Sequence, residues 1–194
     1  DRHTVGGDHV LVLVHGNGPV EGAVHRVAAQ QRGALLEVVI AVLAHDDGAQ
    51  AQLGAAAGVV EQVWGLGRDA GWAQVQPIGA VTVGLAGEQL SEIGAMAESR
   101  AAVRVFSDDG KCVHDPLLMR RALEYVKTFD GVVAQHAQDP RLTEGAQMNE
   151  GSVSADLGLG GWPAVAEEAI IARDVLLAQH VESRLHICHV STAG

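Results

Sequence analysis

The sequence is poor in cysteine. It contains two, Cys112 and Cys188, and they stand far apart rather than as a closely spaced metal-binding pair. So few cysteines argue against a disulfide framework and against a cysteine-based zinc clip. They favour a reducing compartment, so a cytoplasmic protein is expected.

Basic residues are also scarce. Lysine and arginine together number 13 against 24 aspartates and glutamates, which gives a net charge of −11. A chain without a basic face cannot neutralise the phosphates of nucleic acid or bind an anionic membrane surface. No apolar run is long enough for a transmembrane helix, and no segment has the composition of a signal peptide. Neither nucleic acid nor a membrane is therefore expected as a partner.

The first 57 residues lack several residue types altogether. They contain no lysine, serine, methionine, cysteine or aromatic residue, and alanine, valine, glycine and leucine dominate instead. Apolar stretches at 10–14 and 35–43 predict strands. The histidines scattered among them form no paired metal-binding motif, which favours surface positions. We therefore separate an Ala/Val/Gly-rich segment, residues 1–57, from a main domain, residues 58–194.

From residue 58 onward, the apolar pattern alternates between helix and strand periodicity. Helices are predicted over 59–70, 87–99, 116–127 and 162–180, and strands over 75–83, 103–106, 132–136 and 185–189. This alternation predicts βαβ units and a parallel sheet. Since no glycine-rich nucleotide loop accompanies it, the pattern favours the α/β class with a partial (β/α)8 TIM-type barrel over a doubly wound sheet.

Polar side chains follow three of the predicted strands where each strand ends. Asp108 and Asp109 follow the strand at 103–106, while His136 and His189 end two later strands. The carboxyl ends of parallel strands meet at one edge of a sheet, and chemistry is concentrated there. Carboxylate and imidazole ligands suit zinc at a hydrolytic site with an open position for water. The sequence therefore indicates a metal site that contains one of the two aspartates.

The alternation of side chains along a strand separates the histidines of the last strand. If His189 points into the barrel, Ile187 does so too, and His186 then faces the helices. His186 and His189 therefore cannot both bind one metal ion. By the same alternation, His136 shares its face with Ala134, which is small enough for a barrel interior.

Each candidate also has a structural interpretation when it is taken alone. A single histidine at a strand end is more often a hydrogen-bonded structural residue than a ligand. Asp-Gly, as in Asp109-Gly110, is common in turns. These residues therefore support a metal-dependent hydrolase without indicating its substrate.

Five stretches of the main domain carry a resemblance to a known family. They are FSDDG at 106–110, MRRALEYV at 119–126, VAQHAQDPRLTEGAQMNEG at 133–151, LGLGGWPAVAEEAIIARDVLLA at 157–178 and HICHVSTAG at 186–194. In this order and spacing they resemble the bacterial, zinc-dependent class I dihydroorotases of the amidohydrolase superfamily. The resemblance covers about residues 58–194, the central part of an amidohydrolase barrel, and so implies a partial barrel that is incomplete at both ends.

The resemblance implies a reaction and a set of metal ligands. The reaction is the reversible cyclisation of N-carbamoyl-L-aspartate, a small-molecule substrate, to L-dihydroorotate in de novo pyrimidine biosynthesis. The family holds two zinc ions per site. Asp109 matches the carboxylate that bridges them, and His136 and His189 match the two histidines of the second metal. The resemblance identifies no catalytic or substrate-binding residue in this sequence.

Other parts of the family pattern have no counterpart in the sequence. The family's opening D-x-H-x-H-x-R motif supplies two zinc ligands and a substrate-binding arginine, and residues 1–4 do not provide it. An asparagine after the second strand is also missing, and the catalytic aspartate would follow Gly194. We therefore expect a dihydroorotase fragment that does not open dihydroorotate at a useful rate. We also expect that residues 1–54 are not the native start of this domain.

A second interpretation of the same resemblance stays open. The chain could be a noncatalytic dihydroorotase-like protein that scaffolds a transcarbamoylase or forms a homo-oligomer. Retention of Asp109, His136 and His189 favours the enzyme, since a scaffold does not need three metal ligands. A hydantoinase or an allantoinase is a weaker alternative.

Overall fold

The computed structural model describes residues 2–5, 9–14, 38–44, 55–71 and 74–194, with side chains at 57–71 and 74–194. The strands are β1 (Arg2–Val5), β2 (His9–Val14), β3 (Val38–Ala44), β4 (Ile78–Gly79), β5 (Val105–Phe106), β6 (Val132–Gln135), β7 (Met148–Asn149), β8 (Gly161–Trp162) and β9 (Arg184–Ile187). The helices are α1 (Ala55–Ala70), α2 (Ile93–Glu98), α3 (Pro116–Lys127), α4 (Ser152–Leu157) and α5 (Val165–Val181).

Seven of the strands form one sheet in the order β1-β2-β3-β4-β5-β6-β9. β1 and β2 are antiparallel, and every later pair of neighbours is parallel. Helices connect the parallel strands from β3 onward, while β7 and β8 form a separate two-stranded sheet. The predicted α/β class is thereby confirmed, and the parallel sheet with its helices is compatible with a partial TIM-type barrel.

Helix α3 shows how local sequence sets the bounds of an element. Its first residue is Pro116, and the Asp115 carboxylate accepts a hydrogen bond of 2.7 Å from the Leu118 amide, which caps the helix. Four of its side chains are buried at helical spacing, namely Met119, Ala122, Leu123 and Val126. The helix therefore starts and ends at the predicted residues, 116 and 127.

The main hydrophobic core lies between the helices and one face of the sheet. Phe106 of β5 and Val133 of β6 are fully buried in it, together with the buried face of α3. Leu185 of β9 packs against the same core and is the register partner of Val133. Because partners in a parallel pair project to the same side of a sheet, this face of β6 and β9 is the one that meets the helices.

The segment between β4 and α2 differs from the prediction. A strand was expected over 75–83 and a helix over 87–99, but the strand is limited to β4 and the helix to α2. The amides of Val81 and Thr82 donate to the Asp108 carboxylate at 2.8 and 3.0 Å, so they are not available to a neighbouring strand. Gly87, with a φ of +71°, adopts a left-handed conformation that is not helical.

The two strands expected near the start of the chain, over 10–14 and 35–43, correspond to β2 and β3. The surface positions expected for the scattered histidines of this segment cannot be compared, because no side chain is described at His3, His9, His15, His25 or His45. The division of the chain at residue 57 stays a prediction. Within the described part of the chain, no helix is both long and apolar enough to span a membrane.

Candidate metal centre

Three adjacent strands deliver the candidate ligands to one edge of the sheet. β5, β6 and β9 are neighbours and run parallel, so their carboxyl ends lie side by side. Asp109 follows the end of β5 by three residues, His136 directly follows β6, and His189 follows β9 by two residues. The three side chains converge, as expected from the positions of the strand ends.

The ligand atoms form a small triangle. Asp109 Oδ1 lies 2.9 Å from His189 Nε2 and 3.2 Å from His136 Nδ1, and the two ring nitrogens are 3.1 Å apart. Zinc with ligands at about 2.0–2.1 Å in tetrahedral geometry holds those ligands about 3.3 Å apart. The chemistry and spacing of the three donors therefore fit zinc. Among residues 57–71 and 74–194, no second group of three histidine, cysteine or acidic side chains converges in this way.

The two neighbouring aspartates have different roles. Asp108 Oδ1 accepts the Val81 and Thr82 amides, and its other oxygen accepts the Thr82 hydroxyl. Asp108 thus connects the end of β5 to the segment after β4, and burial raises the pKa of its carboxyl. The positions of the strand ends allowed either aspartate to join the metal site. Asp109 is the one that faces the two histidines.

The histidines keep the Asp109 carboxylate ionised. The His136 ring, whose Nδ1 lies 3.2 Å from Asp109 Oδ1, holds the pKa of Asp109 well below its usual range, although burial acts in the opposite direction. In return, Asp109 raises the pKa of His136. Only 4% of Asp109 is exposed, so its negative charge is available almost solely to groups inside the site. Such a charge favours a proton or a cation between the three side chains.

The expectation that His186 faces the helices is wrong. His186 is paired with Ala134, whereas its neighbour Leu185 is paired with Val133 and packs in the core beside the helices. Successive side chains of a strand point to opposite faces, so His186 lies on the face away from the helices. Its side chain is exposed.

Side-chain alternation does not extend to His189, because the strand ends before this residue. β9 ends at Ile187, and His189 has a φ of 30°, outside the extended conformation that alternation requires. Ile187 is the register partner of Gln135, whose side chain bonds Asp174 of α5, so Ile187 belongs to the helix face. His189 reaches His136 through a turn of the backbone after the strand.

Two residues that sequence reasoning missed contact His136 or its loop. Gln138 Oε1 lies 2.6 Å from His136 Nε2, and Gln138 Nε2 donates to the Thr143 hydroxyl at 3.1 Å. Gln138 stands only two residues after His136, and that proximity was the one signal available in the sequence. Thr143 is brought near by the turn between them, which sequence patterns do not specify.

Glu167 supports the segment that carries His189. Glu167 lies in the first turn of α5, near the positive end of the helix dipole. Its carboxylate oxygens accept the Ser191 amide at 2.9 and 3.1 Å, and both lie 3.2 Å from the Ser191 hydroxyl. The backbone two residues after His189 is thereby held to the start of α5.

Glu167→Ala should loosen this segment. We expect the Ser191 amide proton to exchange with solvent at least about tenfold faster, because hydrogen bonds to a charged group contribute about 1.5–3 kcal/mol. Amide hydrogen exchange measured by NMR tests this, with Glu168→Ala in the same helical turn as the matched control. Unchanged protection of Ser191 in Glu167→Ala would show that the carboxylate does not hold the segment.

Residues 60–194 match the family model described as Dihydro-orotase-like. The chain is 80% identical over 138 residues to a dihydroorotase of Leifsonia xyli subsp. xyli. It is 78% identical over 138 residues to a dihydroorotase of Streptomyces coelicolor. Each of these two matches covers 71% of this chain and 32% of the relative. It is 57% identical over 136 residues to a dihydroorotase of Mycobacterium tuberculosis, which covers 70% of this chain and 32% of that relative. The chain thus spans about a third of the length of these curated relatives.

Proposed function

Because the chain belongs to the dihydro-orotase-like family, we propose that it supplies Asp109, His136 and His189 as metal ligands of a zinc-dependent dihydroorotase. The proposed reaction is the reversible cyclisation of N-carbamoyl-L-aspartate to L-dihydroorotate, in cytoplasmic pyrimidine biosynthesis. The observation that carries this proposal is the convergence of the three ligand atoms at the carboxyl ends of β5, β6 and β9.

The three side chains have distinct tasks in this proposal. Asp109 is buried and ionised, so it offsets the charge of a cation, and its position between the histidines suits a bridging carboxylate. His136 and His189 offer one ring nitrogen each, which leaves coordination positions for water and substrate. Zinc, when bound there, supplies a water whose pKa is lowered to about 7 and polarises the substrate's amide carbonyl.

A domain exchange tests whether these residues serve the reaction. Residues 60–194 would replace the matching third of the Leifsonia xyli dihydroorotase, with which they share 80% identity over the aligned part. We expect the purified chimaera with zinc to open L-dihydroorotate at a rate within about tenfold of the relative's. His136→Ala in the chimaera should lower kcat/KM by a factor on the order of 10³ or more, since a metal ligand is lost.

Two outcomes would contradict this proposal. One is a folded chimaera that binds zinc but does not open dihydroorotate, and the other is full activity in the His136→Ala chimaera. The first outcome, combined with co-purification of a transcarbamoylase, would instead favour the noncatalytic scaffold. The buried and ionised Asp109 between two histidines supports the enzyme, because a scaffold gains nothing from that arrangement.

A further inference from the structure

We propose that Gln138 is a positioning residue that fixes the tautomer of His136, so that the Nδ1 lone pair faces the metal position. This inference rests on the proposed metal function of His136. Gln138 is hydrogen-bonded to Nε2 of His136, the ring nitrogen that points away from the metal position. Its effect on the metal position is therefore transmitted through the His136 ring. A hydrogen bond to the second ring nitrogen is what sets the tautomer of a metal-binding histidine.

A chain of hydrogen bonds with a single direction leads to His136. It begins at the Asp139 carbonyl oxygen, which can only accept, and which takes the Thr143 hydroxyl proton at 2.9 Å. The Thr143 oxygen has then used its one proton, so it accepts from Gln138 Nε2 at 3.1 Å. This fixes the amide of Gln138 with Oε1 toward His136.

The last bond of this chain determines where the His136 proton lies. Gln138 Oε1 is an acceptor and lies 2.6 Å from His136 Nε2, so the nitrogen must donate. A neutral imidazole carries one proton, and a proton on Nε2 leaves Nδ1 with a free lone pair. Nδ1 is the atom that lies 3.2 Å from Asp109 Oδ1 and 3.1 Å from His189 Nε2.

Without Gln138, the opposite tautomer would be favoured. The Asp109 carboxylate lies beside Nδ1 and is charged, so it attracts the ring proton to the very nitrogen that must bind the metal. Gln138 competes for the same proton from the other side of the ring at a shorter distance. The Gln138 acceptor therefore keeps Nδ1 of His136 unprotonated. Asp109 remains close enough to Nδ1 for both atoms to bind the same cation.

The loop that carries Gln138 is built to hold this acceptor in place. Asp139 Oδ1 accepts the amides of Arg141 and Leu142 at 2.8 and 3.1 Å, and the Asp139 amide donates to Ala166 of α5 at 2.9 Å. Thr143 is buried, with 8% of its surface exposed. The acceptor is thus oriented before any metal binds, which avoids an ordering cost on binding.

The first test reads the tautomer directly and needs no metal. Nitrogen-15 NMR of His136 in the metal-free chain, recorded above the pH at which this ring loses its second proton, distinguishes Nε2–H from Nδ1–H. We expect Nε2–H in the parent chain and in Gln138→Glu, which retains an acceptor oxygen. In Gln138→Ala we expect the proton to move to Nδ1. An unchanged Nε2–H tautomer in a folded Gln138→Ala variant would overturn the inference.

The second test measures zinc affinity by competition with a chromophoric chelator. Gln138→Ala should weaken binding by about 10–100-fold, the usual effect of losing a partner behind a metal ligand, and Gln138→Glu should restore it to within about threefold. Gln147→Ala, at an exposed glutamine nearby in the chain, serves as the matched control and should bind as the parent does. Equal affinity of Gln138→Ala and Gln147→Ala would overturn the inference. A parent chain that does not bind zinc would instead contradict the proposed metal function, while the tautomer measurement would still decide the role of Gln138.

Discussion

Asp109→Asn should weaken zinc binding by a factor on the order of 10²–10³. Asparagine has nearly the same shape as aspartate but lacks its charge, so the variant removes the one anionic member of the three candidate ligands. Structural zinc sites with four ligands have apparent binding free energies of about 10–16 kcal/mol. The loss of one ligand's share of that free energy corresponds to the expected decrease in affinity. Because His136 and His189 hold the pKa of Asp109 below its usual range, its negative charge is present at any pH at which zinc binds.

Competition titration with a chelator measures this loss. Asp156→Asn is the matched control, because it makes the same chemical change at an exposed position of α4. The control should bind zinc as the parent chain does. Asp109→Asn with the affinity of the control, in a chain whose circular dichroism is unchanged, would show that Asp109 is not a zinc ligand.

Asp174→Ala should produce the largest loss of stability, about 3–5 kcal/mol in the free energy of unfolding. Asp174 is completely buried in α5, where its carboxylate accepts from Gln135 Nε2 at 2.9 Å and from Arg173 Nε at 2.7 Å. Arg173 in turn donates to the Val113 carbonyl at 2.8 Å. Removing the carboxylate leaves a largely buried guanidinium without its counter-charge and an amide without its acceptor.

Urea unfolding of the metal-free chain, followed by circular dichroism, measures this change. Asp174→Asn keeps one acceptor oxygen in the same volume, so we expect a smaller loss of about 1–2 kcal/mol. Asp156→Ala, exposed on α4, should change the free energy of unfolding by less than about 0.5 kcal/mol. Equal stability of Asp174→Ala and Asp156→Ala would mean that the buried network does not stabilise the fold.

The parts of the fold that were predicted correctly depend on neighbouring residues in the sequence. Asp115 and Pro116 set the start of α3 by local capping, and apolar spacing sets its buried face. β6 was predicted to within one residue because the β-branched residues Val132 and Val133 begin a short apolar run that ends at the polar pair Gln135 and His136. The family resemblance rested on ordered motifs within residues 58–194, and the match over residues 60–194 confirms it.

The parts that were predicted wrongly depend on contacts between distant residues. The expected strand over 75–83 is shortened because Asp108, 27 positions after Val81, takes the amides that a strand would use. The face of His186 was assigned wrongly because alternation was extended beyond Ile187, into a turn that the sequence does not reveal. Gln138 was missed because its role depends on Thr143 and on the loop that folds back between them.

The convergence of the three candidate ligands could be predicted because it needs little long-range information. Parallel neighbours bring their carboxyl ends together, so residues placed just after three such strands meet at one edge. The distances between the ligand atoms could not be predicted, because they depend on the register of β6 and β9 and on the turn at His189. The choice of Asp109 over Asp108 came from the resemblance and agrees with the contacts of the two side chains.

The most direct test of the account is anomalous diffraction at the zinc absorption edge from crystals of the chain grown with zinc. We expect an anomalous peak at about 2.0–2.2 Å from Asp109 Oδ1, His136 Nδ1 and His189 Nε2. A zinc peak at His186 or elsewhere on the surface, with the triangle of Asp109, His136 and His189 intact but holding no ion, would contradict it.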